Sequence, residues 1–166
     1  MNYKPVQILS IGMSVPETIV TNDDLTKILD TSDEWISTRT GIKQRHIANG
    51  DENSTFFGIE AAKDALQKAE VDGECVDAII VASSNPYNIY PSTGCAIQEA
   101  IGAKNAIAFD ITAACTGMLY ALEMGRAFIA TGKYKNVLLQ QTPIQNFWTG
   151  PTEQAACFLE TAPEQF

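Results

Sequence analysis

Short apolar runs rich in Val and Ile alternate along this chain with longer stretches of helical spacing, and that alternation limits the fold more than any other feature. VQILSIGM at 6–13, DAIIVAS at 77–83, AIAFDI at 106–111 and NVLL at 136–139 have the continuous hydrophobicity of strands buried on both faces. Helical stretches lie between them: 55–70 behind an Asn53-Ser54 cap, 92–101 behind Pro91, and 116–131 stopping before Gly132. In the first of these, Phe57, Ala61, Ala65 and Ala69 recur every fourth residue beside Leu66. Glu60, Lys63, Asp64, Gln67 and Lys68 fill the opposite face, so one stripe packs on a sheet. Strands joined by helices of this length pair in parallel through right-handed crossovers. The expected fold class is therefore α/β, a mostly parallel sheet with helices on its faces.

The segment from about 14 to 54 breaks the alternation. It carries Thr21-Asn22 and Thr31-Ser32 as cap candidates and gathers polar groups around Trp35. An insertion built for binding and a surface excursion without a ligand both fit that composition.

Charge and cysteine usage exclude several functions. Twenty acids against eleven bases leave a net charge of -9, which repels a nucleic-acid backbone or an anionic membrane. No apolar run approaches the roughly 20 residues needed to cross a bilayer, and the expected location is the cytoplasm. Cys75, Cys95, Cys115 and Cys157 form no CxxC pair, so neither a metal site nor a disulfide framework is expected. Cys75 and Cys95 read as small buried hydrophobes. His46 is the only imidazole, and it reads as a locally hydrogen-bonded residue.

Cys115 stands apart because of its setting, FDITAACTG at 109–117, where a strand ends and a helix begins. That junction exposes a side chain at the carboxyl end of a strand and puts its sulfur near free helical amides, which favour thiolate over thiol. Ala113, Ala114 and Gly117 leave room for an acyl group and let backbone N–H groups approach a developing oxyanion.

These residues, with DTSDEWI at 30–36, TRTGI at 38–42 and RHIA at 45–48, resemble the β-ketoacyl-acyl-carrier-protein synthase III family. The resemblance covers about residues 6–139 and implies the N-terminal half of a thiolase-like fold whose insertion binds CoA. By that resemblance Cys115 takes the acyl group of an acyl-CoA such as acetyl-CoA. Malonyl-acyl-carrier protein is then decarboxylated and condensed onto it, starting fatty-acid synthesis without a tightly bound cofactor. Trp35 looks like the ring that stacks on the CoA adenine, and Thr31 and Arg39 look like its polar partners. Tyr90 resembles the position that one subunit of a homodimer presses against its partner's acyl pocket. His46 matches a family histidine that is not catalytic; the catalytic histidine and asparagine belong to the family's second half. Another thiolase-fold acyl-CoA condensing enzyme and a non-catalytic fragment are the alternative readings.

After Leu139 the chain leaves the family pattern, which continues with DWTDR and later FGDGAGA. Writing Leu159 to Phe166 as TTG GAG ACG GCG CCG GAG CAG TT, after a Phe158 codon ending in T, and regrouping by one base spells FGDGAGAV. The same offset over Trp148 to Gln154 spells DWTDR. Residues 140–166 are therefore expected to be an out-of-frame tail of low order, with Phe147, Trp148, Phe158 and Leu159 as exposed apolar groups.

Overall fold

A computed structural model describes residues 5–50, 52–142 and 154–161. Its five-stranded sheet has the order β1 (Val6–Ser14), β7 (Gln154–Thr161), β6 (Asn136–Gln141), β4 (Ala78–Ala82), β5 (Ile107–Ile111). Strands β4, β5 and β6 pair in parallel, while β7 runs antiparallel to both β1 and β6. Four of the five strands thus share one direction, and the α/β class holds.

Every residue of β4 is buried, because helices cover both faces of the sheet. Ile79 and Val81 point to one side, toward α3 (Ser54–Ala69) and α4 (Thr93–Ala100), where Ala61, Ala65, Leu66 and Ile97 meet Leu138 and Phe158. Ala78 and Ile80 point to the other side, toward α5 (Gly117–Ala130), where Ala121 and Ile129 meet Val137, Leu139 and Leu159. The small stripe on α3 has a steric reason. A Cβ on Gly12 of β1 would lie 2.2 Å from the Ala61 carbonyl oxygen, so β1 and α3 touch backbone to backbone.

Two side chains expected to be exposed, Phe158 and Leu159, are buried. Residues 154–161 form β7, inserted between β1 and β6, and its successive side chains Phe158 and Leu159 are buried in the two opposite cores. A strand alternates faces, so two adjacent large apolar groups on β7 reach one core each. Phe147 and Trp148 lie outside the described residues.

The insertion is more regular than its composition suggests. Strands β2 (Thr18–Thr21) and β3 (Gln44–Ile47) form a separate antiparallel pair, with α1 (Asn22–Thr26) and α2 (Asp33–Thr40) between them. Thr21 caps α1 in a reciprocal capping box with Asp24, and Ser32 caps α2 by accepting from the Trp35 amide at 3.0 Å. Among the described residues no helix is long and apolar enough to cross a membrane.

Candidate functional site

Strand β5 ends at Ile111, and a single 3-10 turn, Ala114–Thr116, leads into α5. Cys115 sits in that turn and is exposed. Two contacts hold the approach to it: the Ser83 amide donates to Ile111 O at 2.9 Å, and the Thr112 hydroxyl donates to Ser83 O at 3.2 Å. Ala114 adopts φ 44°, the left-handed region that an alanine occupies only at a steric cost of roughly 1 kcal/mol, and this turns the chain so that Cys115 projects. No side chain caps the start of α5; the turn closes on its own backbone beside the thiol, the Thr116 amide donating to Ala113 O at 3.2 Å and the Gly117 amide to Ala114 O. Gly117 serves a different purpose from the one its size suggests. It is buried, and a Cβ there would lie 2.7 Å from the Ala82 Cβ, so glycine lets α5 settle onto the end of β4.

Asp110, on the same strand, reaches across to α4 and accepts from the amides of Thr93 at 3.0 Å and Gly94 at 2.8 Å. A carboxylate at a helix N-terminus is favoured by the open amides and their partial positive charge. This contact ties the loop before α4, where Tyr90 is 89% exposed, to the strand that presents Cys115.

The insertion builds a second group. Leu29, Asp30, Thr31, Ser32 and Trp35 line one open concavity; neither Cys115 nor Tyr90 is among its lining residues. Trp35 is 54% exposed, a surface aromatic and not a core one. The Arg39 guanidinium lies 4.5 Å from the centre of the indole ring, so one face of the ring carries a cation. Thr31, Trp35 and Arg39 are therefore brought together, while Cys115 and Tyr90 occupy separate parts of the fold.

Asn22 sets the position of this group, and no signal in the sequence beyond its place in a cap candidate points to it. Buried at the start of α1, its amide donates to Asp33 Oδ1 at 2.7 Å and to Ile42 O at 2.8 Å, and its oxygen accepts from Arg45 at 2.7 Å. Asn22, then the Ser37 hydroxyl, hold the Asp33 carboxyl below the usual carboxylate range. A lowered folded-state pKa contributes stability that is fully present above the ordinary aspartate value of 3.8 and is lost as the pH falls through the lowered value. Acid titration of Trp35 fluorescence is expected to show a transition below pH 3.8 that Asp33→Asn removes.

The remaining candidates are placed as follows. His46 lies on β3 with Nδ1 2.6 Å from Pro16 O, the local hydrogen bond expected of it. Cys75 and Cys95 are both exposed, contrary to expectation: Cys75 ends a short turn before β4, and Cys95 on α4 has its sulfur 4.0 Å from Ala108 O of β5.

An exposed thiol on the turn between β5, a parallel strand at the edge of the sheet, and a long helix fits the class of thiolase-like condensing proteins. Known proteins give the same answer. The model of 3-oxoacyl-[acyl-carrier-protein] synthase III matches residues 109–160, a span that runs from β5 through Cys115 into β7. β-Ketoacyl-[acyl-carrier-protein] synthase III 1 of Bacillus anthracis is 52% identical over 134 residues, 81% of this chain and 43% of that protein. The synthase III of Clostridium acetobutylicum is 46% identical over 154 residues, 93% of this chain and 47% of that protein. The crystal structure of synthase III from Aquifex aeolicus superposes with a TM-score of 0.88 at 39% identity, covering 96% of this chain and 55% of that one. The chain belongs to the β-ketoacyl-[acyl-carrier-protein] synthase III family. It spans about half the length of the curated relatives it matches.

Proposed function

We infer that this chain is the acyl-accepting, N-terminal half of a β-ketoacyl-[acyl-carrier-protein] synthase III, acting in the cytoplasm. The observation that carries the reading is Cys115, exposed on a strained turn at the start of α5. Its thiolate attacks the thioester carbonyl of an acyl-CoA, acetyl-CoA being the reference substrate, and a new C–S bond forms. Negative charge moves to the carbonyl oxygen, where the Cys115 amide is one donor. Collapse of that intermediate expels the CoA thiolate and leaves the acyl group on Cys115. Trp35 offers a flat apolar face to the adenine, and Thr31 and Arg39 offer donors to its edge or to phosphate. No resident cofactor takes part; acyl-CoA is a substrate. In the second half-reaction malonyl-acyl-carrier protein loses CO2 and its carbanion displaces the acyl group from Cys115. His46, held by Pro16, supplies no acid or base for that step. Tyr90, almost fully exposed, is the residue assigned to a homodimer contact at the acyl pocket.

The tail belongs to the same reading: a one-base displacement of the frame near Leu139 or Gln140. Its supports are the two family strings recovered at one offset, and an uncomfortable junction. Gln140 is an amide with no exposure in a buried strand, and the buried Gln141 Oε1 has no hydrogen-bond partner among the described residues. The gene sequence tests it; a coding region in which no single-base change restores FGDGAGA overturns it.

Transfer of label from acetyl-CoA to the full chain tests the chemistry. Cys115→Ala is expected to abolish transfer. Trp35→Ala is expected to raise the half-saturating acetyl-CoA concentration about 10-fold with little change in the limiting rate, because base stacking on an aromatic contributes about 1–3 kcal/mol. Label that persists in Cys115→Ala overturns the assignment.

A further inference from the structure

The left-handed turn at Ala114 needs a support that its own hydrogen bonds do not give. Backbone held in that region persists only where the surrounding structure over-determines it. Inside the turn, the Thr116 amide donates to Ala113 O at 3.2 Å, and the Thr116 hydroxyl donates to the same oxygen at 2.8 Å. Both bonds begin and end within Ala113–Thr116, so they move with the turn and do not fix it to the sheet. The fixing contacts lie one step earlier, at the end of β5. Among the described residues two side chains tie 110–113 to another part of the fold: Thr112, whose hydroxyl donates to Ser83 O at 3.2 Å, and Asp110.

Asp110 is the firmer of the two. Its two carboxylate oxygens accept from successive amides at the start of α4, and bonds to a charged acceptor are stronger than bonds between neutral groups. Phe109 and Ile111 pack on the α5 side of the sheet, so Asp110 leaves the strand on the opposite face, toward α4. The helix start lies close against the strand there. A Cβ on Gly94 would come 3.1 Å from the Phe109 amide nitrogen and 3.1 Å from Asp110 Oδ1. Helix α4 is itself held, because Ile97 has no exposure and packs in the core shared with α3. The end of β5 is thus fastened to a fixed body just before the chain turns toward Cys115. We propose that Asp110 is a positioning residue for Cys115: by pinning the end of β5 to α4 it holds the Ala114 turn in its left-handed form and the thiol in its projecting place. Asp110 acts through the turn and not on the reacting atoms. Its bearing on acyl transfer rests on the reading of Cys115 as the acyl acceptor, whereas its hold on the thiol does not.

Two variants of the full chain break the anchor from opposite sides. Asp110→Asn keeps the shape of the side chain, leaves an oxygen for one amide and turns an NH2 toward the other. Thr93→Pro removes one of the two donors at the first position of α4, where proline is accepted. Circular dichroism checks that each keeps its fold. In label transfer from acetyl-CoA both are expected to lower the limiting rate about 10-fold, the effect of losing one charge-assisted hydrogen bond. The half-saturating concentration is expected to stay within about twofold of wild type, because Asp110 does not line the Trp35 concavity. Alkylation by iodoacetamide reads the thiol directly. The rate at Cys115 relative to Cys75, which precedes β4 at the other end of the parallel strands, is expected to fall by a similar factor. Adding Ala114→Gly to Asp110→Asn is expected to restore most of both losses, since glycine takes the left-handed region without steric cost. A merely structural role would lower Tm without that rescue. Transfer and alkylation unchanged in both variants, or losses that Ala114→Gly does not restore, overturn the proposal. A wild type that takes no acetyl group but shows the alkylation loss and its rescue overturns the acyl-acceptor reading and leaves the positioning role standing.

Discussion

Phe158→Ala is expected to destabilise the protein by about 3–5 kcal/mol, the range for truncating a fully buried phenylalanine. The residue has no exposure, and its ring lies in the core formed by Ile79, Val81, Leu138 and the alanine stripe of α3. Removing it empties a space bounded by a backbone contact, Gly12 against Ala61, which cannot close further. The loss is therefore expected toward the upper end of the range and to lower Tm by roughly 10 °C or more. The effect reaches beyond one cavity. Among the described residues β7 is the only strand that pairs with β1, so weakening it frees β1 as well. Hydrogen exchange is expected to show the amides of β1 and β7 losing protection together. A Tm within a couple of degrees of wild type would mean that 154–161 contribute nothing to the folded sheet.

Asn22→Ala carries the second large effect, about 2–4 kcal/mol, by another mechanism. The alanine leaves Arg45, only 5% exposed, without its 2.7 Å acceptor, leaves Ile42 O without the Asn22 donor, and leaves Asp33 with the Ser37 hydroxyl alone of its two side-chain donors. Desolvated charge that loses its partner costs more than the hydrogen bond itself contributes. Asn22→Asp separates the two sides of the network. It keeps an acceptor for Arg45 but sets a second carboxylate against Asp33, so the α2 side alone is expected to loosen. The measurable sign is greater solvent quenching of Trp35, with the melting of the main sheet little changed. Equal loss from both variants across the whole molecule would contradict this division.

Those two positions also mark where the amino-acid sequence stops being legible. The strands at 6–14, 78–82, 107–111 and 136–141 and the helices after them could be read almost to the residue, because continuous apolar runs and a fourfold alanine repeat are local signals. Strand β7 could not. QAACFLET carries an apolar run, AACFL, but no Val or Ile, and what makes it a strand is the slot between β1 and β6, a tertiary property. The β2 and β3 pair is four residues on each side, TIVT and QRHI, and its register joins Thr18 to Ile47 across the whole insertion. The Asn22 to Arg45 contact spans a separation of 23 residues that no periodicity announces.

At the candidate site the same division holds. The strand-to-helix junction exposed Cys115 as the residue to watch, and the DTSDEW and TRTGI strings pointed to Trp35 and Arg39. The left-handed turn at Ala114 carries no mark in the residue type, since glycine is the usual occupant of that conformation. The steric role of Gly117 against Ala82 depends on how α5 meets β4, which only packing determines. Exposure of Cys75 and Cys95 was likewise set by which way a turn and a helix face.

Their exposure supplies an internal control for the central claim, that Cys115 is the acyl-accepting nucleophile. Among the described residues three thiols, Cys75, Cys95 and Cys115, are exposed, and of these Cys115 lies in the turn that opens a long helix. Incubating the full chain with acetyl-CoA and locating the adduct by peptide mass spectrometry compares them under identical conditions. Acylation confined to Cys115 and absent from Cys115→Ala is the expected result; no adduct, or equal labelling of the three exposed cysteines, would contradict it.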